Sequence, residues 1–106
     1  MSRTTRVVFP RTQERLVALG ARLRAARLRR RIPQTEMAVR VGVSRTTIFR
    51  LEQGDPRVNL AVLARALTVL GLDGDLDRVV ERDEIGERLQ DLELPQRPHR
   101  TIRPAR

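Results

Sequence analysis

Between Gln34 and Gly54 the chain carries a pattern that few folds accommodate: Gln-Thr-Glu-Met-Ala-Val-Arg-Val-Gly-Val-Ser-Arg-Thr-Thr-Ile-Phe-Arg-Leu-Glu-Gln-Gly. Met37, Val41, Val43, Ile48 and Leu51 are spaced so that two short helices can bury them against each other, and Ala38 is small enough to let the second helix cross close over the first. Gly42 stands where the chain must reverse. A turn this tight calls for positive φ, which glycine adopts without steric cost, and Ser44 can then cap the next helix by accepting a backbone N–H. Arginine and hydroxyl side chains are left over on one outward face. On a helix beginning near Arg45, residues 46 and 50 share the side opposite Ile48 and Leu51.

The flanking sequence supplies walls for that pair. Ser2 to Phe9 is polar and β-branched, is stopped by Pro10, and reads as a short strand or an ordered arm. From Arg11 to about Arg31, Leu16, Leu19, Leu23, Ala26 and Leu28 recur at helical spacing and predict a long amphipathic first helix. Pro33 cannot continue that helix but suits the start of the next, so helix 2 is expected from about Pro33 to Val41 and helix 3 from Arg45 to about Gln53. Gly54 is placed to stop helix 3, and Asp55-Pro56 makes the link an extended or turn connection. Asn59 is the expected cap of a fourth helix on which Leu60, Leu63, Leu67 and Leu70 share a face. Val58 and Leu63 are spaced as a hydrophobic staple across that cap, and Gly71 closes the helix. A fifth helix is expected from about Asp75 to Val80, with acids at its N-terminus where the helix dipole favours them, and a weaker one from about Glu84 to Leu92. After Pro95 there is Pro, Arg and little else, too little apolar surface to offset the entropy of ordering, so a mobile basic tail is expected. The organisation is therefore an N-terminal arm (1–10), one helical domain (11–72), a helical extension (73–94) and a tail (95–106).

Composition narrows what such a chain can do. Its 106 residues include no cysteine and one histidine, His99, which lies in the tail, so a disulfide framework, a thiolate metal site and a histidine ligand cluster are all excluded. No Gly-rich phosphate loop and no convergent set of catalytic groups is visible; neither an enzyme nor a cofactor or metal is expected. The apolar runs are only a few residues long and no signal-peptide core is present, which points away from the membrane and toward a cytoplasmic protein. The net charge of +9 is unevenly spread: residues 1–58 carry 14 arginines against four acids, residues 59–93 carry four against nine, and residues 94–106 carry four against none. An arginine-rich front half attracts phosphate backbones by charge and counterion release, and the guanidinium fork also matches guanine edges. The competing reading of each arginine is solvation on a basic surface.

Taken together, Leu19-Gly-x-x-Leu23-Arg-x-x-Arg27, Gln34 with Glu36-Met-Ala38, Gly42-Val-Ser44, Ile48 with Leu51-Glu-x-Gly54, and Leu60-x-x-Leu63 with Ala66-Leu67 and Leu70-Gly71 resemble the Cro/repressor class of helix-turn-helix proteins, the XRE family. The match covers about half the chain. Pro33 departs from it, because relatives usually cap helix 2 there with Ser or Thr. The resemblance implies an all-α, five-helix Cro/repressor-like domain with an N-terminal arm and a C-terminal helix and tail. It further implies double-stranded DNA as partner, with Arg45, Thr46, Thr47 and Arg50 toward the bases and Gln34, Ser44 and Arg57 on the phosphates. In relatives the positions of Arg27 and Glu52 form a partly buried ion pair, which implies a structural role for both.

Two functions stay open. One is a sequence-specific regulator acting as a homodimer on a palindromic operator, with Leu76, Val79, Val80, Ile85 and Leu89 left apolar for the interface once the core is built. The other follows from the acidic stretch Asp83 to Pro95 and the basic tail, which are similar to the ends of HipB-like antitoxins. Those proteins restrain a HipA-type kinase toxin and regulate their own operon. A solvated C-terminal helix accounts for the same stretch equally well.

Overall fold

The structure, a computed structural model, describes residues 8–93; the expected N-terminal arm before Val8 and the basic tail lie outside them. The elements are α1 (Pro10–Arg29), α2 (Gln34–Val41), α3 (Arg45–Glu52), α4 (Leu60–Leu70), a 3₁₀ helix (Asp73–Arg78) and α5 (Glu84–Glu93). No strand occurs among the described residues. The chain divides into two units after Leu76, and each is described by itself.

In the first unit the helix ends follow local chemistry. Pro10 opens α1, where its missing N–H costs no hydrogen bond. The helix ends at Arg29, two residues short of the sequence expectation. Arg31 turns into the left-handed region at φ 58, and Ile32, which precedes Pro33 and so disfavours helix, folds back into the core. Pro33 stands at the cap position of α2 and offers no side-chain hydrogen bond; its carbonyl accepts the Met37 N–H at 2.9 Å. At the other end Gly42 adopts φ 85, and the Gly42 and Val43 N–H groups both donate to the Ala38 carbonyl, at 2.8 and 3.0 Å. The Asn59 side chain caps α4 by accepting the Val62 N–H at 2.9 Å, and Val58 and Leu63 both pack on the core.

The core comprises Leu23, Ala26, Ile32, Met37, Ala38, Val41, Ile48, Leu51, Val62, Ala66, Leu67 and Leu70. Helix α3 lies against both α1 and α2, while α4 packs on α2 and more lightly on α1. The α1–α3 crossing is close enough that side chains are excluded from it. A Cβ on Gly20 would stand 2.5 Å from the Glu52 carbonyl oxygen, and one on Gly54, itself at φ 77, would stand 2.6 Å from the backbone of Val17. Gln13 Nε2 fastens the same crossing by donating to the Gly54 carbonyl at 2.9 Å.

Three expectations need correction. Leu28 is 47% exposed, because five residues beyond Leu23 its side chain has rotated well off the buried stripe. Leu60, at the first position of α4, is 74% exposed: its side chain leans toward the helix N-terminus, past the edge of the core, and Val62 and Ala66 are buried instead. The fifth α-helix, expected over Asp75 to Val80, is a 3₁₀ helix over Asp73–Arg78, with Val79 and Val80 in the turn after it. Six residues do not repay α-helix nucleation, and Asp73, Gly74 and Asp75 favour local turn bonding.

The second unit contains α5, started by Asp83, whose Oδ1 accepts the Gly86 N–H at 3.1 Å. Ile85, Leu89 and Leu92 recur along one side of it, and no residue of the helix is buried.

Candidate nucleic-acid interface

The outer edge of α3 is fixed by what its inner side holds. Ile48, fully buried, and Leu51 anchor the helix to the core. The third anchor is polar. Arg27 on α1 and Glu52 at the end of α3 are both buried, and the guanidinium grips the carboxylate in a fork, Nε to Oε2 at 2.7 Å and Nη2 to Oε1 at 3.0 Å. Arg27 Nη1 donates to the Ile32 carbonyl at 2.7 Å. A buried charge is tolerated only when paired and hydrogen-bonded in this way.

The polar chain runs on toward the surface. Gln34 Nε2 donates to Glu52 Oε1 at 3.1 Å, and Arg45 Nη1 reaches Gln34 Oε1 at 3.4 Å. The first residue of α2 and the first of α3 are thereby tied to the buried pair. Ser44 caps α3 by accepting the Thr47 N–H at 3.1 Å, and the two hydroxyls lie 3.0 Å apart. Thr47 is half-buried, whereas Arg45, Thr46 and Arg50 are exposed. Arg57 stands beyond Gly54 with its guanidinium on Asp55, Nε to Oδ1 and Nη2 to Oδ2, both 3.0 Å. Those side-chain bonds, helped by the Arg57 backbone N–H, hold the Asp55 carboxyl below its usual range, and Asp55 in turn raises the Arg57 guanidinium. Thr47, Arg50, Asp55, Arg57 and Asn59 line a polar notch of about 330 Å³ beside α3.

A family model described as a helix-turn-helix domain matches residues 18–79. The chain belongs to the helix-turn-helix domain family. The match runs from within α1 to just past the 3₁₀ helix and contains the whole of α2, the Gly42 turn and α3, so α3 is the second helix of the motif, the one that such DNA-binding domains lay in the major groove. A search of curated proteins finds no match to the chain. Among the described residues of this helix-turn-helix protein no helix is long and apolar enough to cross a membrane, and no group of three His, Cys, Asp or Glu side chains is gathered to hold a metal ion.

Four features of the site lay outside the sequence reading. Gly20 sets the depth of the α1–α3 crossing. Ile32 supplies both core volume and the carbonyl that Arg27 needs. Arg65 Nε reaches across from α4 to the Val41 carbonyl at 2.8 Å and closes the C-terminal end of α2. Phe49 stands 48% exposed on α3 between Arg45 and Arg50. A helical wheel started at Arg45 places Phe49 on the outward arc, so its signal was present in the spacing.

Proposed function

We propose that the protein is a sequence-specific transcriptional regulator, a repressor, that acts in the cytoplasm as a homodimer on an operator with two-fold symmetry. The observation that carries this reading is the outer edge of α3, where Arg45, Thr46 and Arg50 are exposed on a helix whose other side is held by Ile48, Leu51 and the Arg27–Glu52 pair. Arg45 and Arg50 read base edges, with Thr46 and Thr47 beside them. Gln34 at the start of α2, Ser44 at the α3 cap and Arg57 hold phosphates, so that position and sequence are read by different side chains. Arg57 meets the backbone while braced by Asp55, and Gln34 while braced by Glu52.

One recognition helix reads only a few base pairs, too few for operator-level specificity, and a two-fold dimer sets the second helix about 34 Å away in the next major groove. Leu76, Val79, Val80, Ile85 and Leu89, all exposed in the single chain, form the interface. Selection of bound sites from random duplexes tests the reading. The expected result is one enriched sequence with two-fold symmetry and half-sites about ten base pairs apart. An asymmetric single site would end the dimer reading, and no enrichment would end the regulator reading.

A HipB-like antitoxin is the second reading, favoured by the charge reversal in residues 73–93, where nine acids stand against three arginines around the exposed Ile85, Leu89 and Leu92. Negative charge opposes approach to a phosphate backbone, so this segment suits a dimer or a protein partner rather than DNA. Co-purification with a HipA-type kinase would support the antitoxin role. An operator complex free of any second protein, with the kinase supplied, would leave regulation alone.

A further inference from the structure

The chain has two aromatic side chains, Phe9 and Phe49, and the core uses neither. Large apolar side chains normally go to the core first, and single exposed ones are ordinary on a protein surface. Position distinguishes Phe49. Ile48, its neighbour in sequence, has no exposure at all, while the Phe49 ring stands half out of the surface, 48% exposed. It lies three residues after Thr46, four after Arg45 and one before Arg50, so the ring shares the outward arc of α3 with the side chains assigned to the bases.

An apolar ring in that place has one chemical match. The base edges in the major groove are hydrogen-bond donors and acceptors except for the C5-methyl group of thymine, which is met by apolar contact. Arginines on either side have polar partners in guanine edges and phosphates; a phenyl ring has none, and against a polar edge it would bury a donor or acceptor without a bond. We propose that Phe49 is a specificity-determining residue of the recognition helix, and that it selects thymine by packing on the 5-methyl group within the base pairs bracketed by Arg45 and Arg50. This inference rests on the regulator reading above.

The test uses the full-length protein and the site enriched from random duplexes, with each thymine replaced singly by uracil. That change removes the methyl group and keeps every hydrogen-bonding edge. The unmodified protein is expected to lose about fourfold in affinity at one thymine of each half-site, the amount that burying one apolar carbon contributes, and little at the others. In Phe49→Ala the thymine-to-uracil ratio at that position falls to about one, while Phe49→Leu retains part of it. A site that contains no preferred thymine between the arginine-read positions, equal binding of uracil and thymine throughout, or an unchanged ratio in Phe49→Ala would overturn the assignment. The uracil series needs no variant, so a folding defect cannot mimic the result. Enrichment of no site at all would instead bring down the regulator reading, and this inference with it.

Discussion

Helices α3 and α5 are nearly the same length and both amphipathic, yet the apolar side of α3 is buried in the core, while among the described residues the apolar stripe of α5 is exposed. In α3, Ile48 and Leu51 enter the core, Glu52 takes Arg27, Ser44 caps the Thr47 N–H, and the arc from Arg45 to Arg50 is left outward. In α5, Ile85, Leu89 and Leu92 form a comparable apolar stripe, and no residue is buried. An apolar stripe in a sequence therefore states that a face needs covering, and says nothing of whether the cover belongs to the same chain. The first helix has its inner side covered and displays Arg45, Thr46, Phe49 and Arg50 outward. The second leaves its stripe exposed, and a second copy of the chain or a protein partner covers it in our proposal.

The comparison breaks most easily at its best-satisfied point. Glu52→Ala leaves the Arg27 guanidinium buried without its carboxylate and is expected to cost about 3–5 kcal/mol in thermal or denaturant unfolding, a large part of a small domain's stability. Replacing both members with apolar residues, as in Arg27→Met with Glu52→Leu, should recover much of that loss; a double variant as unstable as Glu52→Ala would show that the pair itself is needed. Next in size, Arg50→Ala is expected to weaken operator binding by about 1–3 kcal/mol and to relax preference at one base position, whereas Gln34→Ala weakens all sequences alike. Unaltered selectivity in Arg50→Ala would remove that side chain from base reading.

At α5 the expected effect on stability is small. Leu89→Ser should change unfolding free energy by no more than about 0.5 kcal/mol when measured on the monomer, and should shift the sedimentation equilibrium toward monomer. A core-sized loss of stability would mean that α5 has a cover within its own chain. The smallest effect concerns Asp55. Its folded-state pKa is depressed by Arg57, so its contribution is complete above the ordinary aspartate range and is lost as pH falls through the lowered value. Stability at neutral pH should be flat with respect to this group, and Asp55→Asn should reduce the acid-side slope in unfolding monitored below about pH 4. An unchanged slope would show that the Asp55–Arg57 contact carries no linkage.

Legibility in the sequence tracked the strength of local chemistry. The turn at Gly42, the caps at Ser44 and Asn59 and the stop at Gly71 are each announced by one residue type, and beside them α2 ends, α3 and α4 begin, and α4 ends. Where competing local preferences meet, the boundaries differ: α1 stops at Arg29, with Arg31 left-handed and Ile32 held out of the helix by Pro33, and the Asp/Gly-rich run after Leu72 winds into a 3₁₀ helix. Periodicity named the right faces but misjudged Leu28 and Leu60, since a wheel knows the direction of a side chain and not where the neighbouring helix ends. At the site, the spacing placed Thr46 and Arg50 outward. It could not show that the Thr47 hydroxyl meets that of Ser44 or that Gln34 bonds Glu52, because those partners meet only when the chain is folded. Phe49 differs, because its outward angle follows from the helical spacing alone.

Whether the arc of α3 from Arg45 to Arg50 reads sequence is decided by a titration of the full-length protein against its enriched site and a scrambled duplex of equal length, at one near-physiological salt concentration. The enriched site is expected to be bound at least about 10³-fold more tightly, and both affinities to fall steeply as salt is raised because phosphate contacts release counterions. Equal affinity for the two duplexes at that salt would contradict sequence reading by α3.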